Sequence, residues 1–237
     1  MTNKTYSRLA GASYLILIAM GIFAEFFVRS NLIVSGDAMA TAEHIIASVQ
    51  QFRMSIAADL IMLICDVLLA WLLYVLLMHV NKNLALLAAF FRLVHAAVYG
   101  LNLLNLFFVL RLLNGDSFLS VYTNEQLNAL VLLFLNAHSS GYLIGLVFFG
   151  IHCLVLGYLV IKSHYVPSVL GMLLIIAGGG YLTDSFANFL LPSYENYQTL
   201  FMMIVFIPAF VAELLFSFWL LIKGIQNSSD QTIPVKS

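Results

Sequence analysis

Charged residues are scarce in this chain. Only 9% of its 237 residues are Asp, Glu, Lys or Arg, whereas soluble domains usually carry about a quarter. Hydrophobic residues make up 62% of the chain, and its mean hydropathy is +1.00. One soluble core cannot bury so much apolar surface, so the composition excludes a soluble globular protein and predicts a protein whose solvent is lipid.

Cysteine is rare and the usual catalytic motifs are absent. Cys65 and Cys153 are the two cysteines; each lies in an apolar segment, and neither has a metal-binding or redox spacing. The chain contains no P-loop, no nucleotide-binding glycine motif and no nucleophile elbow. A net charge of -1 argues against the basic face that nucleic-acid binding requires. We therefore predict no cofactor, no metal ion and no nucleic-acid partner, and expect the lipid bilayer as the partner.

Six apolar runs are long enough to cross a bilayer, whose hydrocarbon core of about 30 Å needs about 20 helical residues. We predict an all-α integral membrane protein with one transmembrane domain, residues 1–225. Its six spans are predicted at about 9–28, 52–80, 84–113, 127–161, 167–190 and 199–223. Asp37 is predicted to cap an interfacial helix before the second span, and Thr123 and Gln126 have the spacing of a capping box. The polar tail 226–237 is predicted to be disordered.

Lysine and arginine are unevenly distributed between the two sets of predicted loops. One side has six of them: Lys4, Arg8, Lys82, Lys162, Lys223 and Lys236. The other side has three: Arg29, Arg53 and Arg111. Because cytoplasmic loops carry the excess of Lys and Arg in membrane proteins, we predict that both termini are cytoplasmic.

Eight ionisable side chains lie deep inside the predicted spans: Asp59, Asp66, Arg92, His95, His138, His152, Asp184 and Glu213. A charge at this depth costs about 3 kcal/mol or more, so such residues usually face a bundle interior and mark a functional centre. Counting about 1.5 Å per residue predicts two layers. The inner layer contains Arg92, His95, His152, Glu213 and Asp66. The outer acidic layer contains Glu25, Asp59 and Asp184, with Arg53 at the rim and His138 between the layers.

The third predicted span carries a stripe of polar side chains. Its members recur at steps of three and four and therefore share one helix face: Arg92, His95, Tyr99 and Asn102. Folding the second and third spans about residues 81–83 predicts Asp66 level with Tyr99 and near His95. The same fold places Asp59 near Asn102.

Arg92 is the deep cation that has no accessible neutral form. We predict that it pairs with Glu213 or Asp66, because an unpaired buried charge costs several kcal/mol. His138 and His152 lie about 21 Å apart along one helix, so they cannot share a metal ion. The three glycines at 178–180 leave open either a close helix crossing or a break in the fifth helix.

Several local patterns carry a family resemblance. They include Phe148 to His152, then Gly157, Tyr158 and Leu159, then Ser163, Tyr165, Pro167 and Gly171, then Gly180, Tyr181 and Asp184. Other positions agree as well: Arg8, Gly11, Phe52, Arg53, Asp59, Arg92, His138, Gly141, Tyr142, Glu213, Trp219 and Gly224. Over roughly residues 7–225 the chain resembles the bacterial membrane family called domain of unknown function 4386. Lys162 and His164 depart from that family's arginine and glycine. The resemblance implies a six-helix, multi-pass protein of the bacterial plasma (inner) membrane and implies no activity.

Three functional classes remain open. The first is a protein that binds or translocates an ion, a proton or a small polar ligand through its polar core. Its candidate residues are Asp59, Asp66, Arg92, His95, Tyr99, Asn102, His138, His152, Asp184 and Glu213. The second is a membrane-embedded hydrolase, metal-dependent or not, which is disfavoured because no two histidines are four residues apart on one helix. The third is a structural or partner-binding subunit whose polar residues only hold the helices together.

Overall fold

The structure is a computed structural model that describes residues 2–225, apart from six side chains between residues 195 and 206. The predicted disordered tail lies outside the described residues. Over this part the chain is helical and has no strand. The seven helices are α1 (Asn3–Leu32), α2 (Ala38–Ala47), α3 (Val49–Leu77), α4 (Lys82–Leu113), α5 (Asn124–Ser163), α6 (Ser168–Leu190) and α7 (Gln198–Ile222), with single-turn 3₁₀ segments at Ser117–Val121 and Tyr194–Tyr197.

Five of the helices are long and apolar enough to cross a membrane: α1, α3, α4, α5 and α6. In α7, the apolar stretch Ile207–Ile222 is shorter than each of these five helices. A chain with several such helices is a multi-pass helical membrane protein. Many large apolar side chains point outward, among them Ile64, Leu101 and Ile222 at 65–71% exposure, as expected of a surface that lipid covers.

Local signals set the helix ends. The Asp37 carboxylate accepts a hydrogen bond from the Ala40 amide at 2.9 Å, which confirms the predicted cap of α2. The predicted capping box of Thr123 and Gln126 at the start of α5 is also confirmed. Helix α5 ends where His164 adopts a left-handed conformation with φ of 57°.

Helix α1 differs from its prediction. The predicted span ends at Val28, but the helix continues to Leu32 through a π-helical stretch, Phe23–Arg29. This stretch carries Glu25 and Arg29. Arg29 therefore lies inside the helical bundle and not in a loop. Single turns of π-helix are rare and often occur at functional sites.

The six long helices pack as a closed ring. In order around the ring they are α1, α3, α4, α5, α6 and α7, and α7 packs back against α1. Helix α2 lies beside α5. Each long helix therefore has one face directed to a common interior, which is where polar side chains can be shielded from lipid.

Glycines bring α5 and α6 into close contact. A Cβ built on Gly171 would lie 2.6 Å from the carbonyl oxygen of Gly157. A Cβ built on Gly178 would likewise lie 2.6 Å from the carbonyl oxygen of Gly150. Because α6 is unbroken from Ser168 to Leu190, the structure decides between the two possibilities left open for residues 178–180: Gly178 belongs to a close helix crossing.

Candidate functional site

All six long helices contribute to one buried polar cluster, which we call the Arg92 cluster. Its members are Tyr14 from α1, Asp66 from α3, Arg92 and His95 from α4, His152 from α5, Tyr181 from α6 and Glu213 from α7. Tyr181 is half-buried, and the others are at most 7% exposed. The closed ring thus places at one level residues that are up to 199 positions apart in the chain.

Arg92 is the centre of this cluster. Its Nη2 lies 2.6 Å from Oδ1 of Asp66, so the predicted pairing with Asp66 is confirmed. Its Nη1 donates a hydrogen bond to the Tyr14 hydroxyl at 3.0 Å. The guanidinium also lies over two aromatic rings, 4.9 Å from the centroid of Tyr14 and 5.2 Å from that of Phe149. Aromatic faces and a carboxylate together stabilise a charge that has no contact with water.

His152 is held in one tautomer by its neighbours. Its Nδ1 lies 2.8 Å from the carbonyl oxygen of Ala88, which can only accept, so Nδ1 carries the proton. Its Nε2 then accepts a hydrogen bond from Arg92 at 3.1 Å. Both ring nitrogens are therefore in use, and His152 orients Arg92 as a neutral acceptor.

The Arg92 cluster contains unsatisfied hydrogen-bonding atoms. Among the described side chains, five buried polar atoms lack a hydrogen bond, and four of them are in this cluster. The four are Oδ1 of Asp66, Nε and Nη2 of Arg92, and Nδ1 of His95. Oδ1 of Asp66 and Nη2 of Arg92 face each other at ion-pair distance, but they are not aligned for a hydrogen bond. Buried polar atoms of this kind are rare in proteins and need a physical explanation.

Glu213 brings a second carboxylate to the cluster. Its Oε1 accepts a hydrogen bond from the Tyr181 hydroxyl at 3.0 Å. Arg92 is near enough to interact electrostatically with Glu213, but its shortest contact to a carboxylate is with Asp66. The cluster therefore contains two carboxyl groups and one guanidinium.

A second polar cluster, the Arg29 cluster, consists of Glu25, Arg29, Asp59 and Tyr99. Arg29 binds Asp59 through two nitrogens, at 2.6 and 3.3 Å, and its Nε donates to Glu25 at 2.8 Å. The Tyr99 hydroxyl donates to Asp59 at 2.9 Å. Asp59 is fully buried, whereas the Glu25 side chain is 57% exposed. No buried atom of this cluster lacks a hydrogen bond.

A group of polar side chains next to Tyr99 joins α4 to α5. The Asn102 amide donates to the carbonyl oxygen of His138 at 2.8 Å and also contacts His138 Nδ1 at 3.1 Å. Asn105 in turn donates to the Asn102 side chain at 2.9 Å. Gly141 provides room for Asn102, since an added Cβ would collide with its amide. These contacts hold two helices together, as the structural interpretation of Asn102 predicts.

The remaining candidates lie apart from both clusters. Asp184 is half-buried and accepts a hydrogen bond from the Tyr194 hydroxyl at 2.6 Å. Burial, together with the hydrogen bond and charge of Asp184, raises the pKa of Tyr194 to about 12, so at neutral pH its hydroxyl stays protonated and donates. Arg53 is exposed and lines a separate cavity near the N-terminus of α3. Neither Asp184 nor Arg53 contacts Asp59.

The predicted register of α3 against α4 is wrong. Tyr99 binds Asp59 and not Asp66, and Asn102 binds His138 and not Asp59. The expected proximity of Asp66 and His95 is confirmed at 3.6 Å. The turn causes the shift: it spans residues 78–81, so the hairpin folds about three residues earlier than predicted.

Three functional neighbours escaped the sequence prediction. Tyr14 lies within an apolar run with no polar pattern around it, and Tyr181 enters the sequence analysis only through the family resemblance. Arg29 follows the last apolar residue of its run and reads as a loop residue. Its spacing of four from Glu25 was the available signal, because oppositely charged residues at that spacing pair on a helix.

No group of three or more His, Cys, Asp or Glu suited to a metal ion occurs among residues 2–225. His95 and Asp66 form a pair in which Nε2 lies 3.6 Å from Oδ2. The side chains of the Arg92 cluster offer hydrogen bonds and charge neutralisation.

Comparison with known proteins identifies the family. The family described as Domain of unknown function (DUF4386) matches residues 9–224. The chain belongs to this family. A protein of Archaeoglobus fulgidus named "Uncharacterized protein" is 33% identical over 180 residues, which cover 76% of this chain and 90% of that protein. No solved structure matches the chain. The family resemblance seen in the sequence is thus confirmed.

Proposed function

We propose that this membrane protein has six spans with cytoplasmic termini in the plasma membrane, and that its Arg92 cluster binds a proton or a small monovalent cation during transfer across the membrane. The sixth span is α7, whose polar residue Glu213 is directed to the same interior as those of the other five. The cytoplasmic placement of both termini follows from the excess of Lys and Arg in the loops on their side.

The observation that supports the proposal is an imbalance of charge in the buried Arg92 cluster. Two carboxyl groups, Asp66 and Glu213, face one guanidinium, and the cluster's two histidines, His95 and His152, are taken as neutral. One negative charge therefore remains, and a bound cation or a proton neutralises it. We infer that Glu213 binds this cation or proton, because Asp66 already has Arg92 as its direct partner. A carboxyl group without a cationic partner inside a membrane is costly unless it is neutralised.

Unused hydrogen-bonding atoms support the same proposal. Arg92 Nε is buried without a hydrogen-bond partner among the described residues, and His95 Nδ1 lies near the Gly145 backbone without a well-aligned hydrogen bond. A centre that only held helices together is expected to satisfy such atoms, because each one left unsatisfied costs about 1–3 kcal/mol. A centre that exchanges a proton or a coordinated ion needs some of them free.

Side chains also link this centre to the Arg29 cluster. The rings of His95 and Tyr99 are stacked, with centroids 6.2 Å apart and an interplanar angle of 9°. Tyr99 in turn donates to Asp59. The two clusters are therefore neighbours in the bundle interior, and the Arg29 cluster holds Tyr99 beside the ring of His95.

A structural function is the second candidate, and one observation favours it for part of the molecule. In the Arg29 cluster the guanidinium binds two carboxylates and the tyrosine hydroxyl binds one of them. A fully bonded group of this type fixes the arrangement of α1, α3 and α4. The hydrolase alternative has no comparable support, since His152 uses both ring nitrogens in hydrogen bonds.

Thermal unfolding of the purified protein in detergent tests the binding. The wild type is measured at constant ionic strength in choline, sodium or potassium chloride, each over a pH series. We expect one of the cations, or protonation, to raise the unfolding temperature of the wild type. The unfolding temperature of Glu213→Gln should not respond, because the amide group neither takes up a proton nor neutralises a cation. A ligand present at 100 times its Kd stabilises the folded protein by about 2.7 kcal/mol. Glu43→Gln, which changes an exposed acid of α2, is the control and should behave as wild type.

Flux through proteoliposomes tests the transfer. An imposed pH gradient is followed with a pH-sensitive dye inside the vesicles, and an imposed sodium or potassium gradient is followed with a dye selective for that ion. Glu213→Gln should slow the signal by about tenfold or more, and Glu43→Gln should leave it unchanged. Binding and flux that are the same in Glu213→Gln as in wild type would contradict the proposal.

A further inference from the structure

A cavity at one end of the bundle has the features of an anion site. It is partly open, has a volume of about 230 Å³ and is lined by Arg53, Phe107, Leu110, Arg111, Asn114 and Asp116. It lies between the first turns of α3 and the last turns of α4, and is separate from both polar clusters. A volume below the range of about 300–1,000 Å³ typical of organic ligands suits a small group.

We infer that this cavity binds a phosphate group, presented by an anionic phospholipid or by a soluble phosphate. Two guanidinium groups border it, and the arginine fork matches phosphate oxygens with two parallel hydrogen bonds. Arg53 forms no ion pair or hydrogen bond with any residue in the range 2–225. Its donors are therefore available to a ligand.

Arg111 is only loosely held within the protein. Its Nη1 lies 3.7 Å from Asp116, and its side chain is 72% exposed. Asp116 is itself bound by the Asn114 amide at 3.0 Å. With Asp116 ionised the cavity still carries one net positive charge, from two arginines and one carboxylate. An exposed pair at this distance contributes little stability, so Arg111 can turn to a stronger anionic partner.

The position of the cavity favours a group at the membrane surface. It lies at the ends of two membrane-length helices, and its apolar wall is formed by Phe107, which is 43% exposed, and Leu110. Phospholipid phosphates lie at this depth of a bilayer, next to the apolar part of the same molecule. An arginine fork at this depth matches the oxygens of a headgroup phosphate.

Two arms of one experiment distinguish the sources of phosphate. In the first, the protein in nanodiscs of phosphatidylcholine, with or without phosphatidylglycerol, is released and its retained phosphatidylglycerol is counted by native mass spectrometry. In the second, inorganic phosphate is titrated against the protein in neutral detergent with thermal shift as readout. Retained phosphatidylglycerol identifies a lipid headgroup, and a response to inorganic phosphate alone identifies a soluble ligand.

Variants decide whether the cavity is responsible. Arg53→Gln and Arg111→Gln should each weaken retention or phosphate affinity by about tenfold, through loss of a charge-assisted hydrogen bond. Asp116→Asn should strengthen it, because a repelling carboxylate is removed. Arg8→Gln, which changes an exposed arginine at the opposite end of α1 from Leu32, is the matched control.

The inference is overturned if the two cavity variants change neither readout by more than Arg8→Gln does. Weaker binding by Asp116→Asn would overturn it as well, since the carboxylate would then belong to a site for a different ligand. All three cavity side chains sit at helix ends or in a loop, and both arginines are exposed, so the variants are expected to fold.

Discussion

The Arg92 and Arg29 clusters share most of their side-chain types, although only the Arg92 cluster contains histidines, and they differ in how completely they are bonded. Each has one arginine, two carboxyl groups and a tyrosine that contacts the arginine or its carboxylate partner. Arg29 donates to both of its carboxylates, and one of these, Glu25, is largely exposed. Arg92 has one carboxylate at ion-pair distance, and Glu213 is left with a tyrosine.

The difference separates a structural role from an exchanging one. A buried ion pair that is fully hydrogen-bonded contributes to a unique packing and has nothing left to offer a ligand. A buried group with an extra acid and unsatisfied donors is less stable by itself and gains from binding. We therefore expect substitutions in the Arg29 cluster to change stability alone. Substitutions in the Arg92 cluster should change stability and ligand response together.

The largest effect is expected for Arg92→Leu. It leaves Asp66 and Glu213 buried without a cation and should lower the free energy of unfolding by about 4 kcal/mol, measured by titration with sodium dodecyl sulfate. Arg92→Leu combined with Asp66→Leu should be more stable than Arg92→Leu alone, because the unpaired carboxylate is gone. If the double variant is no more stable than the single one, the pairing of Arg92 with Asp66 has no energetic importance.

Arg29→Leu is expected to have a somewhat smaller effect, about 3 kcal/mol in the same titration. Asp59 loses its ion pair but keeps the hydrogen bond from Tyr99, and Glu25 can turn to water. Arg29→Leu with Asp59→Leu should again recover part of the loss. A changed response to cations or pH in Arg29→Leu, at temperatures where it is folded, would remove the distinction between the clusters.

The two tyrosines provide a matched pair of smaller changes. Tyr99→Phe and Tyr14→Phe each remove one hydrogen bond to a charged group and should each cost about 2 kcal/mol. Tyr14→Phe frees one more donor of Arg92 and should alter the cation or pH response of thermal unfolding. Tyr99→Phe should leave that response intact. Equal responses in the two variants would contradict separate roles.

Glu25→Gln should have the smallest effect, about 0.5 kcal/mol or less. The Glu25 side chain is 57% exposed, so its ion pair with Arg29 is screened by water and salt. The expected result is an unfolding curve that overlays the wild type at high salt. A loss of several kcal/mol would show that Arg29 depends on Glu25 as much as on Asp59.

The Arg92 cluster was partly predictable because α3 and α4 form a hairpin. Residues on its two helices meet at positions fixed by the short turn, so Asp66 could be placed near His95 and proposed as a partner of Arg92. The register was still wrong. The observed pairs of Asp59 with Tyr99 and Asp66 with Arg92 are both centred in sequence on His79, whereas the prediction folded the hairpin at residues 81–83.

The contributions of α1, α6 and α7 could not be predicted in the same way. Tyr14 and Arg92 are 78 positions apart, and their contact depends on the order of helices around the ring, which no local pattern encodes. Arg29 depends on a π-helical stretch that continues α1 beyond its apolar run. Helix existence followed from hydropathy, and two helix starts followed from capping residues. Side-chain neighbours across the ring needed the packed structure.

Infrared difference spectroscopy over a pH titration shows whether Glu213 carries the exchangeable charge. If it does, the carbonyl band of a protonated carboxyl group appears in the wild type as pH falls or as cation is removed. The same role predicts that this band is missing in Glu213→Gln and retained in Glu25→Gln. A band that persists in Glu213→Gln would rule out this role for Glu213, because the exchangeable charge would then lie on another carboxyl group.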